Sequence, residues 1–212
     1  MKTTKTNNEI FRVLAKSNPE ISLKQHIDDC LCIYEQLKIC IPNLPIYNKT
    51  LFWELLKTCI VFHDMGKAHP DFQNMLNNQK HHWNSQRHEM FSIYFINQLN
   101  LPDDKKKLVI FTVLGHHKDL NELFSSADKN YSTDLDDFDF DISTQIDFIE
   151  ECKKINETEI WNLAKSYNYE KQSDKQLNII SLIKFEIKNN KTSDDNYLIK
   201  MLLVGAMKQC DH

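Results

Sequence analysis

The chain has 212 residues, 41% of them hydrophobic, with only three glycines and five prolines. That is long enough for a core of its own and too poor in turn residues for an all-β fold. Twenty-six basic against 30 acidic residues leave a formal charge of −4, which excludes a bulk positive field drawing the chain to nucleic acid or to a membrane. The six cysteines include no C-x-x-C pair. A zinc ribbon is thereby excluded and a disulfide scaffold disfavoured, and Cys30, Cys32, Cys59 and Cys210 read as reduced thiols in apolar helical patterns. Met1 to Glu9 is polar with no apolar signal core, and the most apolar segment, Tyr197 to Met207, is too short to span a bilayer. The expectation is an all-α helical bundle in one domain over residues 1–212, cytoplasmic in location.

In chain order, Ser22 reads as an N-cap, after which Leu23, Ile27, Cys30, Tyr34 and Leu37 recur at helical spacing until Pro42. His26 lies at the edge of that stripe. A connection with Pro42 and Pro45 leads to a second helix over about Lys49 to Asp64, whose apolar face is Phe52, Leu55, Leu56, Cys59, Ile60 and Phe62. His63 continues the inward row, and Gly66 is expected to end the helix. Pro70 suits the first turn of a short helix, Asp71 to Asn77, with Phe72 and Leu76 inward. Asn77 to Gln86 is a polar loop in which His81, His82 and Trp83 stand; His69, His81 and His82 are expected at the surface, and Trp83 as a loop anchor. Arg87 to Leu99 is again helical, with His88 in its first turn. Asp103 to Gly115 is almost wholly apolar after Lys107, which suggests a central helix, and it ends in Gly115-His116-His117. The acidic segment Asp134 to Asp141 reads as a solvated loop, because the glycine and glutamate spacing of a calcium loop is missing. Ile142 to Tyr169, Gln176 to Lys188 and Asp195 to about Gln209 complete the helices, before Cys210-Asp211-His212.

His26, His63, Asp64, His88, His116, His117 and Asp211 fall at or near the ends of apolar patterns, where buried polar groups need a partner. Five imidazoles and two carboxylates exceed what one metal requires. His26, His63, Asp64 and Asp211 can serve one ion, His88, His116 and His117 another, with Asp64 able to bridge through its two oxygens. Two ions so placed stabilise the attacking and leaving oxygens of a phosphoryl displacement. Imidazole-rich ligation favours two divalent transition-metal ions (Mn, Fe, Co, Ni or Zn) over magnesium.

At these residues the sequence resembles the HD superfamily of metal-dependent phosphohydrolases, and more closely the HD nuclease domain of the CRISPR-associated type I interference helicase-nuclease. The matching pieces are His26, His63-Asp64-Met65-Gly66-Lys67-Ala68 with Phe72-Gln73, Arg87-His88-Glu89 with Ser92, Gly115-His116-His117, and Asp211 after a final apolar helix. The resemblance implies an HD-domain helical bundle that cuts DNA, preferentially single-stranded, in CRISPR interference, an antiviral defence. It also implies a superfamily 2 helicase partner, fused or separate, and recruitment by an RNA-guided surveillance complex. By matching position, His26, His63, Asp64 and Asp211 would hold one ion, and Asp64, His88, His116 and His117 the other. Asp64 and Lys67 would be catalytic, with Lys67 offsetting phosphate charge. The chain has no helicase P-loop and reads as the nuclease part of a longer protein or as a stand-alone version. The rival readings are an HD phosphohydrolase acting on nucleotides or cyclic dinucleotides, and a non-catalytic interaction module.

Overall fold

The structure, a computed structural model, describes residues 13–83, 87–117, 142–172 and 194–211. A short hairpin comes first: β1 (Leu14–Ser17) pairs antiparallel with β2 (Glu20–Ser22). Helices then dominate: α1 (Leu23–Cys40), α2 (Lys49–Phe62), a 3-10 turn (Met65–Ala68), α3 (Pro70–Leu76), α4 (His88–Asn97), α5 (Asp103–Gly115), α6 (Ile142–Lys153), α7 (Glu157–Ser166) and α8 (Asp194–Asp211). Among the described residues no helix is long and apolar enough to cross a membrane.

Burial follows the apolar spacing. α1 starts at Ser22, whose hydroxyl accepts from the Gln25 N–H, and buries Leu23, His26, Ile27, Cys30 and Tyr34 on one face. α2 has a buried stripe at its start but is enclosed on every side from Thr58 to Phe62. α5 is enclosed in the same way from Leu108 to Gly115. A helix apolar all round belongs in the centre. Accordingly α2 packs on α1, α5 and α8, and α5 also touches α4 and α8. Both central rods therefore end inside the protein, and they deliver His63-Asp64 and His116-His117 to its interior.

The fold departs from the sequence reading at several places. The hairpin is not among the expected elements; Val13 and Ala15 face the core from it, and the Gln73 side chain clasps it, donating to the Leu14 carbonyl and accepting from the Leu14 N–H, each at 2.9 Å. α2 stops at Phe62, not Asp64, because Asp64 adopts φ −108°, ψ 6° and starts the 3-10 turn. The expected helix from Ile142 to Tyr169 is broken at Lys154–Asn156, where the Asn156 side chain accepts from the Glu159 N–H and caps α7. Cys32 is exposed, while Cys30, Cys59 and Cys210 are buried. The acidic segment Asp134 to Asp141 and the expected helix Gln176 to Lys188 lie outside the described residues.

Candidate metal centre

His63 is the C-cap of α2, and its Nδ1 lies 2.7 Å from the Ile60 carbonyl. A carbonyl only accepts, so Nδ1 carries a proton, and in the neutral ring Nε2 presents its lone pair. His116 repeats the device at the end of α5, with Nδ1 against the Val113 carbonyl. Asp211 is the last residue of α8. Three helix C-termini, the negative ends of their backbone dipoles, thus meet at one place, a field that favours a cation. His26 from the first turn of α1 and His88 from the first residue of α4 complete the ring.

The distances are short. His26 Nε2 is 3.2 Å from His63 Nε2, 3.2 Å from Asp64 Oδ2 and 3.0 Å from Asp211 Oδ1. His63 Nε2 stands 3.4 Å from each of the same two carboxylate oxygens. The other oxygen of Asp64 faces the opposite way, 2.9 Å from His88 Nε2, which is 3.4 Å from His117 Nε2. The donor atoms sort into two groups, His26, Cys30, His63 and Asp211, and Asp64, His88, His116 and His117, with all atoms of a group within 4.8 Å of one another. Asp64, with one oxygen toward each side, lies between them.

A divalent cation fits this donor set on its own terms. Asp64 is 1% exposed, yet neither of its oxygens receives an aligned hydrogen bond, and the buried His116 Nε2 has no partner. A buried polar atom left unpaired, as His116 Nε2 is, is costly, and the ion pairs of Asp64 with Lys67 and His88 leave its oxygens without aligned hydrogen bonds. Their lone pairs converge with those of the neighbouring imidazoles, which is what a metal ion requires.

Protons and the Lys67 ammonium balance the carboxylates of the ring. Burial resists charge on His26, but the Asp211 and Asp64 carboxylates outweigh it and lift its pKa to about 11. Burial likewise resists charge on His63, where Asp64 and Asp211 prevail and raise it to about 10. Asp64 is held well below the carboxylate range because His63, Lys67 and His88 overcome its burial, and Asp211 is lowered by His26 and His63 in the same manner. His116 goes the other way: burial, then the charges of His63 and His117, push it down to about 3. Its lone pair is free over the whole neutral range. Ions must therefore displace protons from the pair His26 and His63 but not from His116. Zinc binding near neutral pH should release at least one proton, and affinity should rise roughly tenfold per pH unit for each proton displaced. An indicator-dye titration checks this; proton-free, pH-independent binding would contradict it.

Around the ring stand residues that hold it. The Ser92 hydroxyl, fully buried, accepts from the Gly66 N–H at 2.9 Å and donates to the His63 carbonyl at 2.7 Å, pinning the turn to α4. Ser92→Ala leaves both groups unpaired and should cost about 2–3 kcal/mol, a fall of about 6 °C in Tm for a chain of this size; an unchanged melt would show that the clasp is dispensable. Glu89, buried and ion-paired with Arg87 at 2.6 Å, faces His88 Nδ1 at 3.6 Å. Gln73 Nε2 also donates to the Lys67 carbonyl.

All seven metal-ligand candidates thus lie in one cluster. Lys67, expected to face a phosphate, places its ammonium 2.6 Å from Asp64 Oδ2 and is 9% exposed. His69, expected at the surface, is buried: its Nδ1 accepts from the Asp71 N–H and caps α3, its Nε2 meets Glu151 at 3.2 Å, and its ring packs on Trp83 and Phe91. Trp83 is wedged between Phe72 and Phe91 as a loop anchor, and His81 and His82 are exposed. Cys30 joins the donor set although sequence reasoning assigns it only to the core. Its position four residues after His26 is the available signal.

A helical bundle arranged about a His-Asp doublet at the end of a buried helix is an HD domain. Residues 10–198 match the family model described as "Cas3, HD domain". The chain belongs to that family, CRISPR-associated HD-type phosphohydrolases and nucleases. A CRISPR-associated Cas3 HD domain protein from Methanocaldococcus jannaschii has a similar structure: TM-score 0.51, 23% identity, covering 96% of this chain and 100% of that one. No curated protein matches the chain. Asp211 lies beyond the matched stretch, and α8 returns it to His26.

Proposed function

We propose that this protein is a metal-dependent nuclease that hydrolyses phosphodiester bonds of DNA, preferentially single-stranded, in CRISPR interference. The observation that carries the reading is Asp64: a buried carboxylate set between two groups of imidazoles, one oxygen toward His26 and His63 and the other toward His88. Two bound divalent ions supply Lewis acidity toward phosphoryl oxygens and lower the pKa of water toward neutrality.

The chain's own residues prepare that chemistry. The Ile60 and Val113 carbonyls hold the Nδ1 side of His63 and His116, so both rings aim Nε2 at the site, His116 with its lone pair already bare and His63 once a proton has left. Lys67 beside Asp64 limits the negative charge of the unloaded cluster and stands at the site where a phosphate would bring more. His117, exposed at the edge of the ring, marks the open side from which a strand would enter. With a formal charge of −4, the protein gains little from bulk attraction to DNA. Delivery by a superfamily 2 helicase and an RNA-guided surveillance complex in the cytoplasm supplies the substrate in this reading.

The test is incubation of metal-loaded protein with circular single-stranded DNA, with duplex DNA, and with nucleotides and cyclic dinucleotides. Nicking of the circular single strand is expected. Turnover of the small molecules alone would replace the nuclease with a nucleotide phosphohydrolase, and a fully loaded protein that cleaves nothing would leave an interaction module.

A further inference from the structure

Cys30 shares the inner face of α1 with His26, one turn further on, and is 1% exposed. Its Sγ stands 3.9 Å from His26 Nε2 and 4.0 Å from Nδ1. With His26, His63 and Asp211 it forms a set of donor atoms all within 4.8 Å of one another. A zinc ion with sulfur at about 2.3 Å and nitrogen at about 2.0 Å, at a near-tetrahedral angle, keeps those two atoms about 3.5 Å apart, so a small adjustment at Sγ suffices. Sγ thus stands among nitrogen and carboxylate donors as well as against the core, and Asp64 Oδ2, 3.2 Å from His26 Nε2, is buried without an aligned hydrogen bond. The other group, Asp64, His88, His116 and His117, offers only nitrogen and oxygen.

We infer that Cys30 gives up its thiol proton to solvent and is a thiolate donor to the ion held by His26, His63 and Asp211, and that it makes this half of the site select a thiophilic transition ion such as zinc or cobalt. The inference rests on the reading of the cluster as a metal centre. It divides the two halves by softness: sulfur, two imidazoles, the Asp211 carboxylate and one oxygen of Asp64 on one side, imidazoles and the other oxygen of Asp64 on the other.

Cobalt(II) reports the difference directly, because thiolate ligation adds a near-ultraviolet charge-transfer band that nitrogen and oxygen donors do not give. The exposed thiols of Cys32 and Cys40 are first replaced by serine. In that background the cobalt-loaded protein should show the band. Cys30→Ser and Cys30→Ala should lose it while still binding cobalt, and Cys210→Ser should keep it. Zinc affinity should fall about 10- to 100-fold in Cys30→Ser and manganese affinity less than about threefold. X-ray absorption of the zinc-loaded protein needs no Cys30 variant and should find one sulfur at about 2.3 Å. Bound metal with no sulfur neighbour, or an undiminished band in Cys30→Ser, would overturn the inference and leave the metal centre standing. Failure of the unmodified protein to bind cobalt or zinc would overturn both.

Discussion

Gly66→Ala should cost about 4 kcal/mol and lower Tm by about 10 °C, together with loss of metal occupancy. A Cβ built on Gly66 would lie 1.8 Å from the His88 carbonyl oxygen, 2.8 Å from Phe91 Cβ and 2.9 Å from the His88 carbonyl carbon. Two of those three atoms are backbone, which no rotamer change can clear. The 3-10 turn and the start of α4 must separate instead, and that separation breaks the Gly66 N–H to Ser92 bond and draws His88 away from Asp64 Oδ1, 2.9 Å distant. Small overpacking costs in a core run to about 1–3 kcal/mol; backbone against Cβ at this distance exceeds them. The glycine serves the close approach of two elements and not a special dihedral, since it is not in the left-handed region. Thermal melts and metal analysis of the purified variant decide the matter. A Tm within about 2 °C of the parent and full metal content would show that α4 can withdraw without consequence.

That glycine shows where the sequence is legible and where it is not. Local rules assign glycine to helix ends and so make Gly66 the terminator of α2; its contact with α4 depends on a partner 22 residues away, which no local pattern encodes. The same holds for His69, whose burial depends on Glu151 and Trp83, and for Lys67, whose ammonium is taken up by Asp64. By contrast the courses of α1 and α5 are plain. Leu23, Ile27, Cys30 and Tyr34 mark one face of α1, and the unbroken run from Leu108 to Leu114 allows only a buried rod. The hairpin escapes because strands of four and three residues are too short to show an alternation; Asn18-Pro19 is its one turn signal. The break at Lys154–Asn156 carries no glycine or proline, so only the capping asparagine announces it.

The site is legible for a different reason. A buried helix that runs into His-Asp, a second that runs into His-His, and a third that ends in Asp present the same anomaly three times: polar donors at the inner ends of apolar rods. Packing α2, α5 and α8 together forces those ends into one volume, so the elements and their termini imply the cluster even though no distance is written in the chain. What the order of residues does not encode is which oxygen of Asp64 faces which imidazole, or that Cys30 joins the set.

Asp64→Asn should remove hydrolysis by about 10³- to 10⁴-fold, the loss of several kcal/mol of charge stabilisation in the transition state. The change preserves shape and volume but exchanges one anionic oxygen for an amide nitrogen, which cannot donate a lone pair to a cation. Both groups feel the loss, because one oxygen of Asp64 lies 3.2 Å from His26 and the other 2.9 Å from His88. The protons on His26 and His63 lose part of the charge that holds them, so their pKa values should fall toward the ordinary histidine range. Lys67 keeps its place but loses the partner at 2.6 Å. The variant should therefore bind fewer ions and release fewer protons when it binds them, which separates a lost ligand from a misfolded site: circular dichroism unchanged, metal content reduced, proton release reduced. Removing the metal from the parent protein with a chelator should mimic the activity loss, and added manganese or zinc should reverse it in the parent but not in the variant. A variant that cleaves DNA at the parental rate, with parental metal content, would mean that the carboxylate at the centre of this cluster holds no ion.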